Sequence, residues 1–368
     1  AQYKLGTDPR ENSIKAIEAA KRRLKPWVRR SIASIGATTV QDIWQELAVK
    51  QKHRTAAEQT LMWCRAAFNV YIEKREADRN QATHDGKSLV NPFAYARRFM
   101  RSRAQLEQEY EDKGTRNPLA NTPERLGLWR DSLWTRRAVN RDAVDYVLLT
   151  LLLGCRKSET GALAWQERLL DAGLNPADYS VLNINRDGTR GTATIRKTKS
   201  GGTHTVPLGP FACQLMRRRL DEVESGLYVF PASSKNPATQ AEHYNSPREF
   251  IYSFRAVLEK ACMQATWDGC RETDNGLTWD TFQQRYQNQW YFTMHDLRRT
   301  FCTVAVNIEG MPYAVVQQLM NHGQMGNVTA RYGRPSDEML RKYMAQLESE
   351  LLMHSAAIGV QKQQWGVV

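Results

Sequence analysis

The sequence predicts a mainly α-helical chain with a small antiparallel β-sheet, in which an all-α domain precedes an α+β domain. Three observations predict it. A chain of 368 residues with 41% hydrophobic residues exceeds one ordinary core and suffices for two. Apolar residues recur at helical spacing through the first hundred residues and again after Met294. Between them lie three short segments that alternate β-branched with polar residues, separated by glycine turns.

The first domain is expected over residues 1–112. Ile14, Ile17, Leu24 and Trp27 mark one apolar face. Thr39 is expected to cap a helix carrying Ile43, Trp44 and Leu47, with Asp42 near its positive end. Leu61, Met62, Phe68, Val70, Tyr71 and Ile72 give a broad helical face over 56–77. Asn91-Pro92 opens a further helix, with Arg97, Arg98, Arg101 and Arg103 along it. Gly114, Asn117-Pro118 and Thr122-Pro123-Glu124 then mark an exposed linker over 113–126.

The second domain is expected over 127–368. Residues 143–153 form an apolar helix ended by Gly154. Strands are expected at 179–185, 192–197 and 203–208, with turns at Asp187-Gly188 and Gly201-Gly202, followed by a helix over 211–223. The stretch 231–290 is polar and broken, apart from a helix around 250–263, and part of it reads as an inserted surface region. From Met294 the chain is helical to about Leu352, with breaks near Gly310-Met311-Pro312 and over 323–327.

Charge narrows the function. Lys and Arg number 52 against 39 Asp and Glu, a net charge of +13 and a pI of about 9.5. Residues 1–120 hold 23 of the basic residues and 14 of the acidic ones, an excess of nine, so most of the net charge lies in the first third. Such an excess attracts polyanions, nucleic acid first among them. Arg22, Arg23, Arg29, Arg30, Arg97, Arg98 and Arg101 are the candidate phosphate contacts, though single charge runs also occur as solvated helix faces.

No apolar run reaches the 18–20 or so residues of a membrane span, and the start lacks a secretory pattern, so a cytoplasmic, nucleoid-associated protein is expected. The chain starts at Ala1 rather than Met, which fits a processed chain or missing upstream residues. The six cysteines form no C-x-x-C pair and no zinc template, so reduced thiols and no metal are expected.

The informative segment is His295-Asp296-Leu297-Arg298-Arg299-Thr300, where a three-residue spacing puts His295 and Arg298 on one helix face. Leu319-Met320-Asn321-His322 follows, then Val328-Thr329-Ala330-Arg331-Tyr332. Upstream stand Gly154, Arg156 and Glu159, and Thr198-Lys199-Ser200-Gly201 before Val206-Pro207-Leu208. In these motifs and their order, residues 140–345 resemble the tyrosine recombinase family of phage integrases and Xer-type resolvases. The interval from His322 to Tyr332 is ten residues, one longer than the usual family interval.

The resemblance implies a metal- and cofactor-independent DNA breakage and rejoining enzyme with Tyr332 as nucleophile, and Tyr343 as its rival on spacing. It implies Arg156, Arg298 and His322 on the scissile phosphate, His295 as base, and Lys199, with Lys197 as rival, as acid. Glu159 would orient Arg156 or His295. It also implies a helical core-binding domain that forms a clamp around double-stranded DNA bearing specific sites, a tetramer on two duplexes, and room for DNA-bending accessory proteins. The amphipathic helix over 335–352 would dock on a neighbouring protomer, or else on its own domain. Tyr3-Lys4-Leu5-Gly6 is similar to the end of an arm-binding module, which would make the first 20 or so residues its tail. A type IB topoisomerase uses a similar residue set, and a silent DNA-binding architectural protein is the remaining alternative.

Overall fold

The computed structural model describes residues 11–79, 90–112, 119, 122–196, 202–222, 226–231, 247–286, 289–321 and 334–353. The chain divides into two compact units, Ala1–Thr115 and Arg116–Val368. It is mainly helical with a small four-stranded mixed sheet.

In the first unit, α1 (Glu11–Arg23), α2 (Ala37–Trp44), α3 (Arg54–Arg79) and α4 (Arg103–Asp112) are joined by short 3-10 turns and a π-helical turn at Gln45–Lys50. Val40, Ile43, Leu47, Leu61, Phe68 and Phe93 form its core. Asn91 fastens the 3-10 turn Pro92–Arg98 to α3. Its side-chain oxygen accepts from the Phe93 amide, and its Nδ2 donates to the Arg65 carbonyl, both at 2.9 Å.

Two sequence expectations change here. Gly36, not Thr39, is the N-cap of α2, and Thr39 is buried inside the helix, so Asp42 lies beyond the first turn. The helix expected through Arg97 to Arg103 is a 3-10 turn and a separate α4, with Arg101 in the break.

In the second unit, α5 (Pro123–Thr135) begins inside the stretch read as linker. Thr122 accepts from the Arg125 amide, and Pro123 sits in the first turn, where a missing N–H costs nothing. Thr122-Pro123-Glu124 therefore starts a helix instead of breaking one.

The axis of the unit is α6 (Arg141–Leu153), buried at every position from Ala143 to Leu153. Its one charged buried group, Asp145, is paired with Arg137 at 2.7 Å and with the fully buried Arg219 at 3.3 Å. Gly154 ends α6 with φ 60°, the left-handed conformation that favours glycine.

Beyond it come α7 (Lys157–Gly161), β1 (Leu163–Trp165), α8 (Gln166–Asp171), β2 (Ser180–Ile184), β3 (Gly191–Ile195), β4 (His204–Pro207) and α9 (Pro210–Glu222). The sheet order is β1-β2-β3-β4. The three expected strands pair antiparallel, and β1, which is too short to show alternation, adds a parallel edge to β2. The sheet is therefore mixed, not antiparallel.

In the stretch expected to hold a surface insertion, the helix expected around 250–263 is part of a longer one that reaches the core, and the described residues from 264 to 281 are mostly exposed. There, α10 (Pro247–Thr273) buries Phe254, Leu258 and Cys262, while α11 (Trp279–Tyr286) packs Trp279 and Phe282 against Trp267. Residues 232–246 lie outside the described residues. The unit closes with α12 (Met294–Asn307), α13 (Tyr313–Leu319) and α14 (Asp337–Leu352).

The apolar face of α14 is buried in its own unit through Leu340, Met344, Leu347, Leu351 and Leu352. Its Glu348 carboxylate accepts from the Phe211 and Ala212 amides at 2.6 and 2.8 Å, capping the N-terminus of α9. At its other end, buried Arg130 donates to the Met353 carbonyl. Of the two packings expected for this helix, the structure shows it against its own domain. Among the described residues no helix is long and apolar enough to cross a membrane.

Candidate active site

Arg156 follows the Gly154-Cys155 turn and stands at the N-cap of α7. Glu159, one turn later, accepts from the Arg156 backbone amide and from its guanidinium, both at 2.8 Å. One carboxylate thus fixes both the backbone and the side chain of Arg156, leaving the guanidinium about one-third exposed. Of the two partners expected for Glu159, the structure gives it Arg156.

The start of α12 is made by Thr293 and Asp296. Asp296 accepts from the Thr293 amide and hydroxyl at 2.8 Å, in a reciprocal cap. The T-x-x-D spacing carries that signal in the sequence. This cap places exposed His295 and buried Arg298 one turn apart, while Arg299 turns back to Asp296 at 3.4 Å.

Arg298 is held at both tips. One Nη donates to the Gly154 carbonyl at 2.7 Å and the other to the Met320 carbonyl. Burial lowers its pKa, and the neighbouring positive charge of Arg156 lowers it further. Burial also lowers the His295 pKa, followed by the charges of Arg299, Arg298 and Arg156, against an opposing effect of Asp296. These effects favour the neutral ring, which has a nitrogen able to take a proton.

Residues from two distant motifs thus come together: Arg156 from one, His295 and Arg298 from the other. Two like charges held beside one another favour an anion in their common field. Asn321, at φ 48°, turns the chain at the end of α13 directly into His322. The left-handed region is one that asparagine enters more readily than most residues.

Lys199, with its rival Lys197, and His322 and Tyr332 lie outside the described residues, as does Tyr3-Lys4-Leu5-Gly6. Tyr343 is engaged elsewhere, its hydroxyl donating to the Gly310 carbonyl.

A residue that sequence reasoning missed also belongs here. His204 on β4 is buried, with its Nε2 3.1 Å from the Leu319 carbonyl, in the electrostatic field of Glu159, Arg298 and Arg156. Its signal is faint: a histidine on the inward register of a strand, two residues before Val206 of Val206-Pro207-Leu208.

Of the candidate phosphate contacts in the first unit, Arg22, Arg29, Arg30, Arg97 and Arg98 are exposed, with Arg98 4.7 Å over the Tyr95 ring. Arg23 is half-buried and donates to Thr60. Arg101 leaves this set. It forms a forked pair with Glu58, its shortest contact 2.6 Å, and a second with Glu109 at 2.7 Å, and these hold it as an internal strut. The cysteines are free thiols, and burial pushes Cys155, Cys213 and Cys262 up to about 12, which keeps them protonated.

No family model, curated protein or solved structure matches the chain.

Proposed function

We propose that the chain is a site-specific DNA recombinase that cleaves and rejoins strands through a covalent bond to Tyr332. The observation that carries this reading is the meeting of Arg156 and Arg298 beside His295. The turn holding the first arginine is hydrogen-bonded to the second.

The reaction fits that arrangement. When a phosphodiester becomes five-coordinate, charge builds on its non-bridging oxygens, and two fixed guanidiniums stabilise it most where it is greatest. The Tyr332 oxygen attacks phosphorus and its proton passes to His295. Ionising a tyrosine outright at pH 7 would cost about 4 kcal/mol, so a nearby base and two cations matter. The bond from phosphorus to the 5′-oxygen breaks, and Lys199 supplies the proton that oxygen needs. His322 adds a donor to the phosphate. The roles of Lys199, His322 and Tyr332 rest on their motif positions.

The product is a 3′-phosphotyrosyl link and a free 5′-hydroxyl. The phosphodiester bond energy is retained, so rejoining needs neither ATP nor metal. In this reading the first unit is an all-α core-binding domain whose basic residues track phosphates. The working form is a tetramer on two duplexes in the nucleoid, assisted by DNA-bending proteins.

Nicked suicide duplexes from the ends of the encoding element test the reading. An SDS-resistant adduct, formed without metal and lost in Tyr332→Phe, is the expected result. Tight binding without an adduct would leave an architectural DNA-binding protein. Relaxation of supercoils without site preference would point to a topoisomerase.

A further inference from the structure

The last carbonyls of an α-helix have no partner within the helix. At the end of α13 two successive ones are taken by side chains from elsewhere, Leu319 by His204 of β4 and Met320 by Arg298 of α12. The side chains of Leu319 and Met320 are buried, so this helix end is fixed both by packing and by directed bonds. One residue later Asn321 turns the chain towards His322.

His204 also marks the base of a hairpin. It pairs with Ile195 at the end of the β3–β4 register, and the loop between them carries Lys199. One hydrogen bond therefore ties the root of the Lys199 loop to the helix end that leads into His322.

The ring is suited to a permanent tie. A carbonyl oxygen only accepts, so Nε2 carries the hydrogen and the bond needs no positive charge. Burial disfavours the charged ring and is reinforced by Arg298 and Arg156. The Leu319 carbonyl and Glu159 act the other way, and the net shift is downward.

We infer that His204 is a positioning residue that ties β4 to the end of α13, the two elements from which the chain runs to Lys199 and to His322. The catalytic part of this inference rests on the recombinase reading; the anchoring itself does not.

The test compares full-length wild type with His204→Phe, which keeps an aromatic ring but loses the donor, and with His204→Gln, which keeps a donor on a flexible chain. Hydrogen exchange of peptides covering 313–321 reads the anchor. The rate of adduct formation on a suicide duplex, beside duplex affinity, reads its catalytic consequence.

His204→Phe is expected to exchange faster at the end of α13. It should form adduct more slowly, on the order of 10- to 100-fold, the scale of a small misplacement of catalytic groups. Affinity should stay within a few-fold, and His204→Gln should recover most of the rate. Unchanged exchange and rate in His204→Phe would overturn the inference, as would a rate loss matched by an equal loss of affinity. If wild type forms no adduct, the recombinase reading fails while exchange still decides the anchor. If His204→Phe does not fold, His204→Gln decides by the same two readouts, because a tie made by a donor predicts near-wild-type values for it.

Discussion

Arg298 donates to the carbonyl of Gly154, 144 residues earlier in the chain, at 2.7 Å. That carbonyl belongs to the turn which, two residues on, presents Arg156. The arginine from the later motif therefore holds the backbone that aims the arginine from the earlier one, and the two cannot be positioned independently. Lysine has one compact ammonium and cannot reach Gly154 and Met320 in the same fork. Arg298→Lys should lower the rate of covalent adduct formation by roughly 10²–10³-fold, the scale of losing one preorganised charge-stabilising donor. Single-turnover cleavage measures it, and wild-type rates would remove Arg298 from the chemistry.

Gly154 answers to two constraints. Its φ of 60° is strained for other residues, and a Cβ there would meet the Phe301 ring at 2.5 Å. Gly154→Ala should destabilise the second unit by about 2 kcal/mol or more, through overpacking and a left-handed backbone together. The urea midpoint reads it, and an unchanged midpoint would refute the close packing of α6 on α12.

His295 sets a pH dependence. Its folded-state pKa lies below 6.5, so the neutral, proton-accepting form persists to lower pH than free imidazole allows. The acid limb of adduct formation should have its midpoint below pH 6.5. The same sign governs stability. A histidine with a depressed pKa favours folding above its unfolded pKa and loses that contribution as pH falls through the folded value, and His204 acts in the same direction. A limb centred above pH 6.5 would exclude His295 as the base.

Glu348 joins α14 to the amide end of α9, with Gly209 so close that a Cβ there would meet the carboxylate at 2.5 Å. Glu348→Ala leaves two buried N–H groups without this acceptor and should cost about 2–3 kcal/mol by urea denaturation. Glu348→Gln retains an acceptor oxygen and should cost less. Equal losses would mean that the cap contributes little.

In the first unit, substitution should separate surface arginines from a strut. Arg29→Ala and Arg30→Ala should each reduce the slope of log affinity against log salt, by about 0.9 for every phosphate left unneutralised, with stability unchanged. Arg101→Ala should leave the slope as it is and lower the melting temperature, because Glu58 and Glu109 lose their ion pairs with Arg101. Fluorescence titration across salt and thermal denaturation read the two effects. An unaltered salt slope in both Arg29→Ala and Arg30→Ala would remove them from the DNA-binding surface.

Local signals are legible wherever they are short-range. The apolar run 143–153 and Gly154 spell the body and stop of α6, and the structure follows them, adding Asn140 as its cap. Asp187-Gly188 places the β2–β3 turn, with Gly188 at φ 67°. Thr122-Pro123-Glu124 misleads because the same residues break a helix from inside and begin one from outside. The 231–290 stretch is legible only in part. Its polar composition hides an aromatic cluster of Trp267, Trp279 and Phe282 whose packing joins two separate helices.

By itself, the sequence determined the motif order, the helical faces, three of the four strands and the basic bias of the first third. Each depends on residues within a turn or two of one another, or on composition alone. Only the tertiary structure decided that Arg298 braces the Gly154 turn and that Glu159 takes Arg156. It also decided that Arg101 is an internal strut, that α14 folds back on its own domain and that His204 ties β4 to α13. Those pairings span from 3 to 223 positions of chain, and even the nearest depends on which rotamer the surroundings permit. A local pattern says which face a side chain occupies; packing alone selects the group it meets there.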